Sequence, residues 1–288
     1  MSDLALPLTQ SKAFERTCRA IKLPVTRFET QDGTCLVQSR KLPLIGQFHL
    51  LSRGPTGRTA EGAASLLREV RQSLSGPLVV NAPSEAEKLG GVQIARGAEL
   101  ALVDLADEGT MRARLHQKWR NQLNKAARAP ITIIDQPLDA TRHKWFLDAE
   151  ATQQKTRKYR SYPAGFLLAY AHANEEQARL YTALDDGEPV AAMLVLKHGR
   201  AATYQAGIAT DLGRKSCAHN ALLWKVMSDL SRRSFTILDL GRADLNPGLR
   251  RFKLGSGARP QQLGGTLLFH SWFAPRPKKV TSKTSQVI

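Results

Sequence analysis

Cysteine is nearly absent from this chain: 288 residues hold three, Cys18, Cys35 and Cys217. Their odd number and wide spacing argue against a disulfide framework and for a reducing compartment. No Cys-x-x-Cys or His-Glu-x-x-His run occurs, so the usual zinc signatures are missing and no metal is expected. No apolar run approaches the roughly 20 residues that span a bilayer. The opening Met1-Ser2-Asp3-Leu4 lacks a charged region leading into an apolar stretch, so no signal peptide is read and a cytoplasmic location is expected. Acid is scarce as well. Asp and Glu total 25 against 42 Lys and Arg, a net charge of +17. A field of that sign draws polyanions: tRNA, phosphorylated or nucleotide-linked donors, or the headgroups of a membrane surface touched peripherally. Part of the excess lies in residues 275–288, where Lys278, Lys279 and Lys283 follow Pro275 and Pro277. That composition predicts a basic disordered tail.

What is present supports a packed core, since 42% of the residues are apolar. Leu8 to Ile21 reads as a helix with Ser11 as its N-cap. Val25–Glu29 and Thr34–Arg40 flank Gln31-Asp32-Gly33, a hairpin signal. Gln47–Ser52 is a third strand that stops at Arg53-Gly54-Pro55, followed by a helix near 60–75 and strands near 78–81 and 100–103. One long helix is expected from Asp107 to just before Pro130, with Met111, Leu115, Trp119 and Leu123 as its apolar stripe. Its other faces are basic. A short strand at 131–134 and a helix from Lys144 to about Gln154 come next. A second meander, 179–184, 190–197 and 201–208, precedes a loop at 209–215. Beyond it lie an amphipathic helix carrying Leu222, Leu223, Val226, Met227 and Leu230, a strand at 236–240, a glycine-rich stretch and a closing strand at 265–273. Each half therefore runs meander, helix, strand, and an α+β domain pair follows.

In such a unit the strand after the helix can lie parallel to the last meander strand and then splay from it. The gap between Tyr204–Ile208 and Leu238–Gly241 would admit an extended chain, with a helix N-terminus above it to meet an anion.

Gln10-Ser11-Lys12-Ala13-Phe14, Leu50-Leu51-Ser52-Arg53-Gly54-Pro55, Lys118-Trp119-Arg120, Gly187-Glu188-Pro189-Val190, Leu238-Asp239-Leu240-Gly241 and Gly248-Leu249-Arg250-Arg251-Phe252-Lys253-Leu254-Gly255 follow one another in this order. Together these segments resemble the FemABX-like branch of the GNAT acyltransferase superfamily, the aminoacyltransferases of peptidoglycan bridges and their uncharacterised relatives. The resemblance covers about residues 8–270. It implies two tandem GNAT-like halves with mixed central sheets flanked by helices. Residues 1–130 would be a degenerate N-terminal half with a basic connecting helix, and 131–274 the acyltransferase half. The activity implied is N-acyl transfer, with acyl-CoA or aminoacyl-tRNA as co-substrate, an amine as acceptor and cell-envelope biosynthesis as the setting. No bound cofactor is expected.

In the family a Phe-Lys pair sits beside the transferred group, and Phe252-Lys253 matches it. A fixed cation there would stabilise the tetrahedral oxyanion by several kcal/mol; a surface lysine after a core phenylalanine is the bland alternative. Asp239 at a strand end would orient or deprotonate the amine, or else cap a loop or pair with Arg242 or Arg251. Asp244 is a weaker alternate. Arg214, Lys215 and His219 precede or open a helix near Gly241 and are candidate donor contacts. Their run, Arg214-x-x-Cys217-x-His219, departs from the CoA loop R/Q-x-x-G-x-G/A, which favours the aminoacyl-tRNA donor. Arg157 and Lys158 lie in Lys155-Thr156-Arg157-Lys158-Tyr159-Arg160-Ser161-Tyr162, where cations alternate with rings that could stack on bases. A non-catalytic RNA- or anionic-surface-binding module on the same scaffold is the competing function.

Overall fold

The protein is described here from a computed structural model covering residues 5–43, 46–83 and 89–270. The basic tail at 275–288 and the end of the closing strand lie outside these residues.

The first half opens with α1 (Lys12–Ala20), capped by the Ser11 hydroxyl, which accepts from the Phe14 amide at 3.1 Å. Strands β1 (Val25–Glu29), β2 (Gly33–Leu42) and β3 (Gly46–Ser52) form the expected meander, and the two-residue strand β4 (Thr56–Gly57) pairs with β2. Helix α2 (Ala60–Ser73) leads to β5 (Leu78–Ala82), which runs parallel to β3 from His49↔Leu78 to Ser52↔Asn81. A short β6 (Val92–Ala95) follows.

The second half holds β8 (Ile131–Pro137), α5 (Lys144–Arg157), α6 (Ala164–Ala173) and the meander β9 (Ala178–Asp185), β10 (Glu188–His198) and β11 (Ala201–Ala209). Then come α7 (Asp211–Lys215), α8 (Ala218–Arg232), β12 (Ile237–Arg242), α9 (Pro247–Gly255), β13 (Arg259–Gln262) and β14 (Gly265–Phe269). The order meander, helix, strand thus occurs twice. On α8 the residues Leu222, Leu223, Val226, Met227 and Leu230 are at most 1% exposed, each worth about 1.5–3 kcal/mol of burial.

The halves exchange strands. Residues 99–104, β7 (Glu99–Asp104), lie in the second sheet between β12 and β13, antiparallel to both. In return β14 lies in the first sheet between β5 and β6. The closing strand therefore does not complete the second half, because its backbone groups find their ladder partners on β5. A shared apolar cluster also crosses the boundary, packing Phe14, Cys18 and Leu36 against Phe146, Leu167, Tyr170 and Leu194.

Other expectations need correction. The helix expected from 107 to 130 is two helices, α3 (Glu108–Arg114) and α4 (Gln117–Ala126). Leu115 and His116 between them are extended, because the His116 amide donates to Gly255 O at 3.0 Å instead of continuing the helix. The stripe Met111, Leu115, Trp119, Leu123 is nevertheless buried throughout. The loop at 209–215 contains α7, and the glycine-rich stretch before β13 contains α9. Asn246 starts α9, its side chain accepting from the Gly248 and Leu249 amides ahead of Pro247 in the first turn. Among the described residues no helix is long and apolar enough to cross a membrane.

Candidate active site

Strands β11 and β12 pair in parallel over only three positions, Ala201↔Ile237, Ala202↔Leu238 and Thr203↔Asp239. β11 runs six residues further without this partner, so the expected splay is present. The first half has none: β3 stays paired with β5 to its last residue, Ser52.

The gap is furnished on both sides. The Thr210 amide donates to Val190 O at 2.9 Å, which sets the phase of the β10–β11 ladder. Two-residue alternation then turns the N–H and C=O of Gly207 away from β10 and into the gap. Gln153, reaching over from α5, donates to Gly207 O at 3.1 Å. It also donates to the Tyr159 hydroxyl at 3.0 Å and to Glu150 at 3.3 Å, while Tyr159 donates to Glu150 at 2.8 Å. Burial pushes the Glu150 carboxyl up, against the pull of these bonds, and lifts the Tyr159 phenol to about 12. Gly207 needs to be glycine: a Cβ there would lie 2.2 Å from the Tyr204 hydroxyl and 3.0 Å from His219 Nε2. His219, half-buried, is pushed toward its neutral form by desolvation, with Arg157 and Arg214 adding to the effect.

Across the gap stands the end of β12. Lys253 on α9 is buried, 5% exposed. Its Nζ donates to Arg242 O at 2.7 Å and lies 3.8 Å from where a Gly241 Cβ would be. Desolvation draws its pKa down to about 8, against the carboxylates of Asp239 and Asp244. Its helix is braced from behind, where Trp119 Nε1 donates to Phe252 O at 3.0 Å. The Phe252 ring bridges the two sides, 6.2 Å from the Trp119 ring and 6.3 Å from that of His219.

Asp239 lies beside Lys253 but is fully engaged. One oxygen accepts from the Gly241 amide at 2.7 Å, and the other is ion-paired with Arg53 from the first half. It pairs with neither Arg242, which binds Asp244, nor Arg251. From the sequence Arg53 closed a strand within one of the family-like segments and was given no role of its own; its φ of 56° turns it out of β3.

Arg157 and Lys158 end α5 as exposed residues, Lys158 in the left-handed region at φ 53°. Arg214 and Lys215 end α7, with Arg214 held to Ala209 O at 2.6 Å and paired with Asp211. Arg214 and Lys215 directly precede the start of α8, which opens at Cys217 with φ 56°, and Arg157 and Arg214 both act on the charge of His219 in its first turn. The rings expected to stack on bases point inward instead: Tyr159 bonds Glu150, and Tyr162 stacks on Phe166 with centroids 4.2 Å apart. Gln153, Glu150 and Tyr204 were not singled out from sequence; Glu150 and Gln153 sit in a polar run, Asp148 to Arg157, where nothing local distinguishes them from a solvated helix face.

The profile of a family described as an acetyltransferase (GNAT) domain matches residues 111–254. The chain belongs to the GNAT acetyltransferase family. It is therefore an acyltransferase, and the matched span holds β11, α8, β12 and Lys253. No curated protein sequence matches it. Among solved structures it is similar to FemX, with a TM-score of 0.74 at 12% identity over 93% of this chain and 94% of that one. It is also similar to the C-terminal domain of a putative lysylphosphatidylglycerol synthetase from Agrobacterium fabrum, with a TM-score of 0.57 at 16% identity, covering 90% of this chain and 87% of that one. L-PGS from Bacillus licheniformis gives a TM-score of 0.57 at 14% identity over 93% of both chains. At these identities the likeness is one of fold, and it bears out the two GNAT-like halves read from the sequence.

Proposed function

We propose that this acyltransferase moves an aminoacyl group from a charged tRNA to an acceptor amine. The observation that carries the choice of donor is the Gln153 side chain on Gly207 O. A pantetheine arm would enter the splay by pairing with these backbone groups, as an added strand does. Here that carbonyl already has a donor, itself held by Glu150 and Tyr159. The side chain of Cys217 where the CoA loop wants glycine, and the excess of 42 basic over 25 acidic residues, point the same way. The putative lysylphosphatidylglycerol synthetase, similar in fold, is named for a lysyl ester of a phospholipid, which suits aminoacyl transfer to an envelope acceptor. The family description, acetyltransferase, supports the second reading, in which an acyl-CoA is the donor.

In either case the acceptor amine attacks the donor carbonyl, and the charge that develops on its oxygen is met by the Lys253 ammonium, a fixed cation in a buried site. The C–O or C–S bond to the donor then breaks, and the amine proton leaves with the donor oxygen or sulfur. Asp239 acts as a positioning residue, since both of its oxygens are occupied. Arg157, Lys158, Arg214 and Lys215 hold donor phosphates around the start of α8, and His219, neutral, lines the gap. The reading is tested by titrating the protein with charged and uncharged tRNA and with acetyl-CoA at 150 mM salt. Charged tRNA binding tighter than uncharged, with acetyl-CoA weak, is the expected result. Saturable acetyl-CoA binding with no preference for the charged tRNA would transfer the assignment to the CoA reading.

A further inference from the structure

Leu238 and Leu240 pack into the core beneath α8, so Ile237 and Asp239, at alternate positions, face the opposite side of the second sheet. There the two halves enclose a cavity of about 510 Å³. Its lining includes the apolar Leu6, Leu102 and Ile237 together with three arginines, Arg53, Arg58 and Arg259. Neither Lys253 nor Phe252 lines it.

Among the described residues the charges do not balance. Asp239, the one carboxylate among the described residues that line this cavity, is taken by Arg53. Arg259 pairs with Asp104 at 2.9 Å on the rim. The guanidinium of Arg58 is exposed and has no hydrogen-bond or ion-pair partner among the described residues. Arg53 lines the cavity too, its side chain 22% exposed. Guanidinium donors beside apolar lining are the complement of an anion that carries an apolar body. The volume suits a small molecule, and guanidinium groups bind phosphate oxygens in pairs.

We propose that this interdomain cavity is a second ligand site, one that takes a phosphorylated small molecule with its phosphate between the Arg58 guanidinium and the exposed part of the Arg53 guanidinium. The site does not depend on which donor the enzyme uses. It is wired to the chemistry nonetheless: Arg53, which would touch the phosphate, also holds Asp239, and Asp239 holds the Gly241 amide beside Lys253.

Phenyl phosphate, an aromatic ring bearing one phosphate, is the probe. Its binding to the full chain is measured by calorimetry at 150 mM salt, with benzoate as the ring without phosphate. Lys118→Glu on the exposed face of α4 makes the same charge change as Arg58→Glu away from the cavity. Saturable binding of phenyl phosphate, at least tenfold weaker binding of benzoate, and a loss of at least tenfold in Arg58→Glu but not in Lys118→Glu are expected. Equal losses in the two variants would reduce the binding to the general positive field and overturn the site, as would the absence of saturable binding. Should Arg58→Glu fail to fold, amide exchange on the unaltered protein decides: phenyl phosphate slows exchange at residues 56–63 if it binds here, and unchanged exchange there refutes the assignment.

Discussion

Arg53 and Asp239 are 186 positions apart in the chain and form one ion pair across the two halves. The Asp239 side chain is 6% exposed and that of Arg53 22%. Removing one partner strands a buried charge, whereas replacing both by apolar groups does not. Arg53→Ala should therefore lower unfolding stability by about 3 kcal/mol, while Arg53→Met with Asp239→Leu recovers most of that loss. Urea unfolding of the single and double variants checks this. If the single variants unfold like the parent, the pair is not a structural clasp.

Lys253 couples stability and activity in opposite directions. Its folded pKa of about 8 lies below the 10.5 of an exposed lysine, so the unfolded chain holds this proton more tightly. Between those two values the unfolded state binds more protons, and stability rises with pH. Below about 8 both states are protonated and the fold carries the full cost of the buried cation, on the order of 3 kcal/mol for such a shift. Lys253→Met should thus be more stable than the parent at neutral pH, less so by whatever the bond to Arg242 O contributes. Turnover should fall by at least about 100-fold, as when one oxyanion donor is lost. In the parent, kcat should decline as pH rises through about 8, and Lys253→Arg should retain activity above that point. A rate that instead climbs through this range would make the neutral amine the active form.

The sequence disclosed what is local. Asp32-Gly33 between β-rich runs placed the first hairpin, and four-residue spacing placed the faces of α4 and α8. It hid what is decided at a distance. Gly265–Phe269 has the composition of any terminal strand, and only its ladder with β5 shows where it goes. The break between α3 and α4 rests on one bond from His116 to Gly255. Asn246-Pro247 did carry a helix-start signal, and the glycines around it obscured the reading. Arg53 looked like a turn residue because its partner is in the other half.

Gly255 sets how closely α9 can approach α4. A Cβ there would lie 2.9 Å from Trp119 Cδ1 and 3.4 Å from its Cβ. The Trp119 ring is buried and held by its bond to Phe252 O, so it has little room to give. Gly255→Ala should cost about 1–3 kcal/mol, the range for overpacking a core. It should also reduce kcat more than donor KM, because α9 carries Lys253. Thermal unfolding and steady-state kinetics read both effects, and an unchanged kcat in a destabilised variant would mean that the position of Lys253 tolerates the shift.

Gln153 offers the sharpest separation between donors. Truncating it to alanine frees Gly207 O in the splay and leaves Glu150 with Tyr159 and Gln154 as partners. If Gln153 is what denies a pantetheine arm its backbone partner, Gln153→Ala should bind acetyl-CoA at least about fivefold more tightly, the worth of one net hydrogen bond. Aminoacyl transfer should change little, apart from any loosening of α5. Calorimetry with acetyl-CoA on parent and variant measures the first effect. If affinity falls instead, Gln153 itself contacts the CoA donor, and the acyl-CoA reading takes precedence over the tRNA one. An unchanged affinity would mean that the Gly207 carbonyl has no part in choosing the donor, and the preference would then rest on charge and on the loop before α8.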